Sequence, residues 1–213
     1  MTEKPILFTA EMVRAILREE NPKTQTRRVI KRHLDDRGLR WVTGWEDWHG
    51  CPIKCPYGKP GDHLWAREAM AGEMYASRHW ELWYAADHDE VLSEIPSDWH
   101  PPINMVSAYR ERGDNIRDGG FDWYRCTVPS IFMPRWACRT LLCVKDVRVE
   151  RVQDISTCDI VAEGLSSQFR EHDAAVDLRD QFRTLWDSIN GKRGFGWDEN
   201  PWVWVVEFEK AEQ

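Results

Sequence analysis

Apolar positions near the amino terminus are spaced for two elements in quick succession. Ile6-Leu7-Phe8 is a continuous apolar triplet that reads as a short strand, and Thr9 stands where a helix N-cap belongs. Met12, Val13, Ile16 and Leu17 then share one face of a helix, while Arg14 and Arg18 occupy another. Asn21-Pro22 ends that helix, because the residue before a proline is disfavoured in helical geometry. Thr26 to Ile30 reads as extended. Residues 31 to 61 are polar, aromatic and rich in turn formers, which predicts a loop.

Alternation returns at His63-Leu64-Trp65-Ala66-Arg67-Glu68, after the turn Lys59-Pro60-Gly61-Asp62, and predicts a strand. Between residues 70 and 125 only Glu81-Leu82-Trp83-Tyr84 has strand character. Pro96, Pro101, Pro102, Gly113, Gly119 and Gly120 interrupt the remainder, so the stretch reads as an irregular insertion ordered partly by its aromatics. Thr140 to Val152 is a β-branched run whose charge alternates after Lys145. Ile155 to Glu163 predicts a short helix closed by Gly164. Leu178, Phe182, Leu185, Trp186 and Ile189 predict a longer one that stops at Asn190-Gly191. Pro201 to Phe208 predicts a closing strand, apolar on both faces at its start. Short strands dispersed among a few helices indicate an α+β chain, a small β-barrel decorated by helices, and not a βαβ parallel sheet. The 213 residues are read as one domain with an insertion at about 70–125.

Charge sharpens this picture. The chain carries a formal charge of −7, unlike a general nucleic-acid coat protein. Yet from Lys23 to Arg40 seven cations face only Asp35 and Asp36. An acidic body with one basic patch suits a single anionic ligand and not a long DNA track. No apolar run is long enough to span a bilayer and no signal-peptide core is evident, so a cytoplasmic protein without membrane association is expected. The six cysteines are irregularly spaced, which favours reduced thiols. Most of the thirteen tryptophans must pack in cores, with a few available for stacking on a base.

The densest chemistry is Pro22-Lys23-Thr24-Gln25-Thr26-Arg27-Arg28. It sets an amine three residues ahead of a hydroxyl and follows both with two guanidinium groups. A hydroxyl attacks a carbonyl only if a base takes its proton, and a lysine desolvated among cations has its pKa lowered toward that role. The arginines suit phosphate or another anion. On a strand they point to opposite faces, so one of the two would reach a ligand. The competing use of Lys23 and Thr26 is a solvated loop with a threonine cap.

This cluster, with Pro60-Gly61-Asp62-His63-Leu64-Trp65-Ala66-Arg67-Glu68, the helix Asp159-Ile160-Val161-Ala162-Glu163-Gly164 and the strand Val203-Trp204-Val205-Val206-Glu207-Phe208, resembles the ASCH domain family. Pro129-Ser130-Ile131-Phe132-Met133-Pro134-Arg135-Trp136-Ala137-Cys138-Arg139 resembles a segment typical of that family's phage and prophage branch. The resemblance implies a PUA-like β-barrel and an association with RNA or modified nucleosides. The family's small amidohydrolases remove the acetyl group from N4-acetylcytidine. Their lysine and threonine are similar in spacing to Lys23 and Thr26, and their glutamate corresponds to Glu163 when Ala162-Glu163-Gly164 is aligned with it. The implied catalytic set is Lys23, Thr26 and Glu163, acting without metal or organic cofactor.

For ligand binding, Arg27 and Arg28 supply charge, and Trp65, Arg135 and Trp136 offer stacking surfaces. Glu68 would steady a site cation, or pair internally with Arg67 or Arg139. The expected pocket is lined by Lys23, Thr26, Arg27 and Glu163, with Trp65 and Trp136 as walls. Glu163 has a surface-helix alternative, but a carboxylate beside the glycine that closes its helix faces the negative end of the dipole, at a cost of about 0.3–1 kcal/mol. His49-Gly50-Cys51 and Cys55 have tolerable zinc spacing but no persuasive fourth ligand, with His63 distant. Two functions follow: hydrolysis of an N-acylated cytidine, or non-catalytic binding of RNA or a modified base through the same pocket.

Overall fold

Residues Val203 to Val206 are buried without alternation, which places their strand inside a sheet with both faces covered. The computed structural model describes the chain apart from residues 32–38, 42–44, 48–49, 51–52, 75–79, 92–93, 111–121, 166–173 and 212–213. Its elements run β1 (Glu3–Leu7), α1 (Ala10–Leu17), β2 (Gln25–Val29), β3 (Leu39–Trp41), β4 (Trp45–Asp47), β5 (His63–Arg67), β6 (Met70–Met74) and β7 (Trp80–Tyr84). They continue with β8 (Val106–Arg110), β9 (Asp122–Val128), β10 (Leu141–Arg151), α2 (Thr157–Ala162), α3 (Ala174–Asn190) and β11 (Trp202–Lys210).

The class is α+β. A five-stranded sheet has the order β1-β5-β10-β11-β2, a four-stranded sheet the order β7-β6-β9-β8, and β3 and β4 form a hairpin. These orders are linear: among the described residues no sheet closes on itself into a barrel. The chain divides into two compact units, one of Met1–Lys4, Ala15–Leu64 and Leu141–Gln213, the other of Pro5–Arg14 and Trp65–Thr140.

In the first unit β11 lies antiparallel between β10 and β2. Val203 and Val205 pack against Ile160 of α2, Leu178, Phe182 and Trp186 of α3, and Trp197. Capping fixes α2: the Ser156 hydroxyl accepts from the Asp159 N–H while the Asp159 carboxylate accepts from the Ser156 N–H. The β3–β4 hairpin corrects the expectation of a featureless loop across residues 31 to 61. Each of its strands has three residues, too short for alternation to register in the sequence.

The second unit corrects the expectation of irregularity between residues 70 and 125. Its four strands form an antiparallel sheet with its own core of Met70, Trp80, Leu82, Tyr84, Val91, Cys126, Val128, Met133 and Ala137. Pro96, Pro101 and Pro102 fall between β7 and β8, where they interrupt no ladder. The remaining breakers of that reading, Gly113, Gly119 and Gly120, lie outside the described residues.

Candidate functional site

Lys23 is held in place by its backbone before its side chain makes any contact. Its N–H donates to the Ala15 carbonyl at the end of α1 (2.9 Å), and the Thr24 N–H donates to the Ala162 carbonyl at the end of α2 (2.9 Å). The Thr24 carbonyl then accepts from the Phe208 N–H (2.8 Å), pinning the segment to β11. Gly164 makes this junction possible. Its φ is +93°, and a Cβ there would stand 2.9 Å from the Ala15 Cβ and 3.1 Å from the Lys23 Cβ.

The Lys23 side chain runs inward to Glu163, the C-cap of α2. Its ammonium donates to Glu163 Oε2 (2.5 Å) and to the Glu163 carbonyl oxygen (2.8 Å). Lys23 is 2% exposed and Glu163 9%. Burial pulls the Lys23 ammonium below the ordinary lysine value; Glu163 opposes that shift, while Arg28 and Arg27 add to it.

Arg27 reaches the same carboxylate from β2, with 3.4 Å between its guanidinium and Glu163 Oε1. It also pairs with Glu150 of β10 (3.0 Å) and Asp159 of α2 (3.3 Å). Arg148 extends the network to Glu150 (2.5 Å), Asp159 (3.1 Å), Gln25 (3.2 Å) and Glu207. Strand register explains this grouping, because Arg27, Val205 and Arg148 are directly opposed across β2, β11 and β10. Burial acts upward on the Asp159 carboxyl, but hydrogen bonds from Ser156 and the charge of Arg27 together hold it below the usual range.

Thr26 is 1% exposed and stands between Gln25 and Arg27 on β2, so strand alternation turns it and Arg28 toward the other face. Its cross-strand row is Thr26, Val206 and Val147. Burial also lowers the Arg28 guanidinium, opposed by Tyr57 and Glu163 and assisted by Arg193. The structure therefore brings Lys23, Arg27 and Glu163 into direct contact, places the charge of Arg28 within reach of Glu163, and sets Thr26 on the strand beside them.

The remaining predicted site residues belong to the second unit. Trp65 has the Arg67 guanidinium 5.2 Å and the Arg135 guanidinium 5.9 Å from its ring centroid. Trp136 packs edge-on against Trp99 at 5.5 Å. Glu68 is buried and takes both arms of the Arg139 guanidinium at 2.9 Å. Arg139 also meets Asp87 (2.8 Å) and Asp89 (3.1 Å) and lies 3.8 Å from the centre of the Tyr84 ring. Of the two internal partners expected for Glu68, Arg139 is the one engaged. Arg67 instead donates to the backbone carbonyls of Met133 and Ile131.

Glu150, Asp159 and Arg148 were not singled out from the sequence. Alternating charge after Lys145 and the Ser156-x-x-Asp159 spacing were their only signals, and neither names a partner. Among the described residues no group of three or more His, Cys, Asp or Glu side chains is placed to hold a metal ion. His49 and Cys51 of the zinc reading lie outside the described residues. Cys55 is buried, with its thiol pushed up to about 11 by desolvation. Among the described residues no helix is long and apolar enough to cross a membrane. No protein-family model, curated protein or solved structure matches the chain.

Proposed function

We propose that the chain is an ASCH-type, PUA-like protein of the phage and prophage branch that hydrolyses the amide of an N-acylated cytidine, with Lys23, Thr26 and Glu163 as the catalytic set. The observation that carries this reading is the 2.5 Å hydrogen bond between the Lys23 ammonium and Glu163, two buried groups 140 positions apart in sequence. A short hydrogen bond between an amine and a carboxylate is a route for one proton, and desolvation of Lys23 favours its neutral, basic form.

The reaction begins when the Lys23 proton passes to Glu163. The neutral amine then takes the Thr26 hydroxyl proton as the oxygen bonds to the acyl carbon. The resulting oxyanion is stabilised by cationic donors, for which Arg28, two positions along β2 on the same face as Thr26, is a candidate. Collapse breaks the carbon–nitrogen bond, with a proton from the Lys23–Glu163 pair going to the departing cytidine nitrogen. Water attacks the threonyl ester in the second half-reaction, releasing the carboxylic acid and restoring the hydroxyl.

The test is incubation with N4-acetylcytidine and a panel of acylated nucleosides, with cytidine release followed by chromatography. Turnover that is lost in Thr26→Ala and Glu163→Gln supports the reading; turnover that persists in folded Thr26→Ala removes threonine as nucleophile.

A second reading is favoured by the engagement of Arg27 with three carboxylates and by the placement of Thr26 on the other face of β2. There the Lys23–Glu163–Arg27 network is a rigid support, and the chain binds RNA or a modified base without cleaving it. Saturable binding of the same nucleosides with no product over many hours selects this reading.

A further inference from the structure

A pocket of about 530 Å³ opens between the 53–60 segment, the Lys4 end of β1 and β10, and neither Lys23, Arg27 nor Glu163 lines it. Its volume falls within the range of roughly 300–1,000 Å³ found for small-molecule sites. The apolar lining comes from Ile53, Cys55, Pro60 and Val147. A β-bulge between Val144 and Asp146 sets Val147 there: buried positions along β10 run 142, 144 and then 147, a step of two followed by a step of three. Hydrogen bonds from the Gly61 N–H to the Val144 carbonyl and from the Val144 N–H to the Asp62 carbonyl, both 2.9 Å, fasten the turn to that strand.

The charged lining is unequal. Lys4, Lys54 and Lys59 bring three ammonium groups on apolar stems, and Lys54 and Lys59 are exposed. Two carboxylates share the lining, but both have local partners. Asp62 accepts from the backbone N–H groups of Thr2 (3.0 Å) and Lys59 (3.2 Å), and Asp146 lies 3.8 Å from the Arg148 guanidinium. The buried Cys55 thiol stays protonated at neutral pH and acts as wall, not nucleophile.

We propose that this pocket binds a small amphiphilic anion, an apolar body bearing one carboxylate, sulfonate or phosphate group, with the body against Val147, Ile53 and Pro60 and the anion among Lys4, Lys54 and Lys59. Charge complementarity selects that class over a cation or an uncharged ligand of the same shape.

The test is fluorescence titration of the full chain with 8-anilinonaphthalene-1-sulfonate and, in parallel, with its uncharged relative N-phenyl-1-naphthylamine. One saturable sulfonate site is expected, displaced by decanoate at concentrations about tenfold below those needed for decanol. The triple variant Lys4→Gln/Lys54→Gln/Lys59→Gln is expected to weaken sulfonate binding by about tenfold while changing uncharged-probe binding little. Val147→Phe narrows the pocket and is expected to weaken both probes. Non-saturable binding, equal displacement by decanoate and decanol, or unchanged sulfonate affinity in the triple variant overturns the proposal. The triple variant alters side chains at the pocket rim and decides the matter even if Val147→Phe fails to fold.

Discussion

Lys23 is gripped by one residue through two different oxygens, with its ammonium 2.5 Å from Glu163 Oε2 and 2.8 Å from the Glu163 backbone carbonyl. The carbonyl belongs to the C-cap of α2, where helix geometry leaves acceptors without intrahelical donors. The same ammonium therefore neutralises the side chain and satisfies the helix end. This answers the electrostatic objection to a carboxylate at that position: the unfavourable dipole end is offset by a cation bound to both groups.

Glu163→Gln leaves the buried Lys23 ammonium without its carboxylate and is expected to cost about 3–5 kcal/mol in chemical denaturation, whereas Lys23→Met leaves Glu163 paired with Arg27 and is expected to cost less. The double variant is expected to cost less than the sum, because neither residual charge is stranded and Arg27 keeps Glu150 and Asp159. Additive losses would show that the two side chains are energetically independent.

Gly164→Ala is expected to destabilise the chain by more than about 1 kcal/mol, since φ is +93° there and the added methyl meets Ala15 and Lys23. Gly191→Ala supplies the control. Its nearest neighbour would be 3.9 Å away, and its backbone carries no positive φ. Thermal melts of the two variants should therefore separate clearly.

The Asp159 carboxyl is held below its ordinary value of 3.8 by Ser156 and Arg27 despite burial acting upward. Its folded pKa lies under its unfolded one, so its stabilisation is fully present above about 3.8 and is lost as pH falls through the lower folded value. Ser156→Ala removes the hydroxyl's hydrogen bond to that carboxylate and, with the bond the hydroxyl accepts from the Asp159 N–H, the N-cap, with an expected loss of about 0.5–2 kcal/mol at neutral pH. Denaturation midpoints measured from pH 5 downward should fall less steeply in this variant than in the parent.

Arg139→Lys is expected to destabilise the second unit although it conserves charge. A single ammonium cannot reproduce the two 2.9 Å hydrogen bonds to Glu68 while also meeting Asp87 and stacking on Tyr84. Arg139→Ala leaves Glu68 buried and uncompensated, with an expected loss of about 3–5 kcal/mol. Near-ultraviolet circular dichroism, sensitive to Trp80 and Tyr84 in that core, should report the loosening directly.

The sequence alone determined the elements whose periodicity is long or whose ends are chemically marked. Helix α1 follows from Thr9 and its apolar face, α3 from Leu178, Phe182 and Trp186, and β11 from its unbroken apolar run. Each needs only local rules, because side-chain spacing and capping act within a few residues. The β3–β4 hairpin and the sheet of β6 to β9 escaped those rules, since strands of three to seven residues show little alternation and draw their stability from partners distant in sequence. Lys23, Arg27 and Glu163 were legible as candidates, but their partners were decided by tertiary structure. Register set Arg27 in line with Arg148, and the approach at Gly164 seated Lys23 on the end of α2. A buried charge takes whichever opposite charge the fold brings within hydrogen-bond reach, and no local pattern encodes that distance.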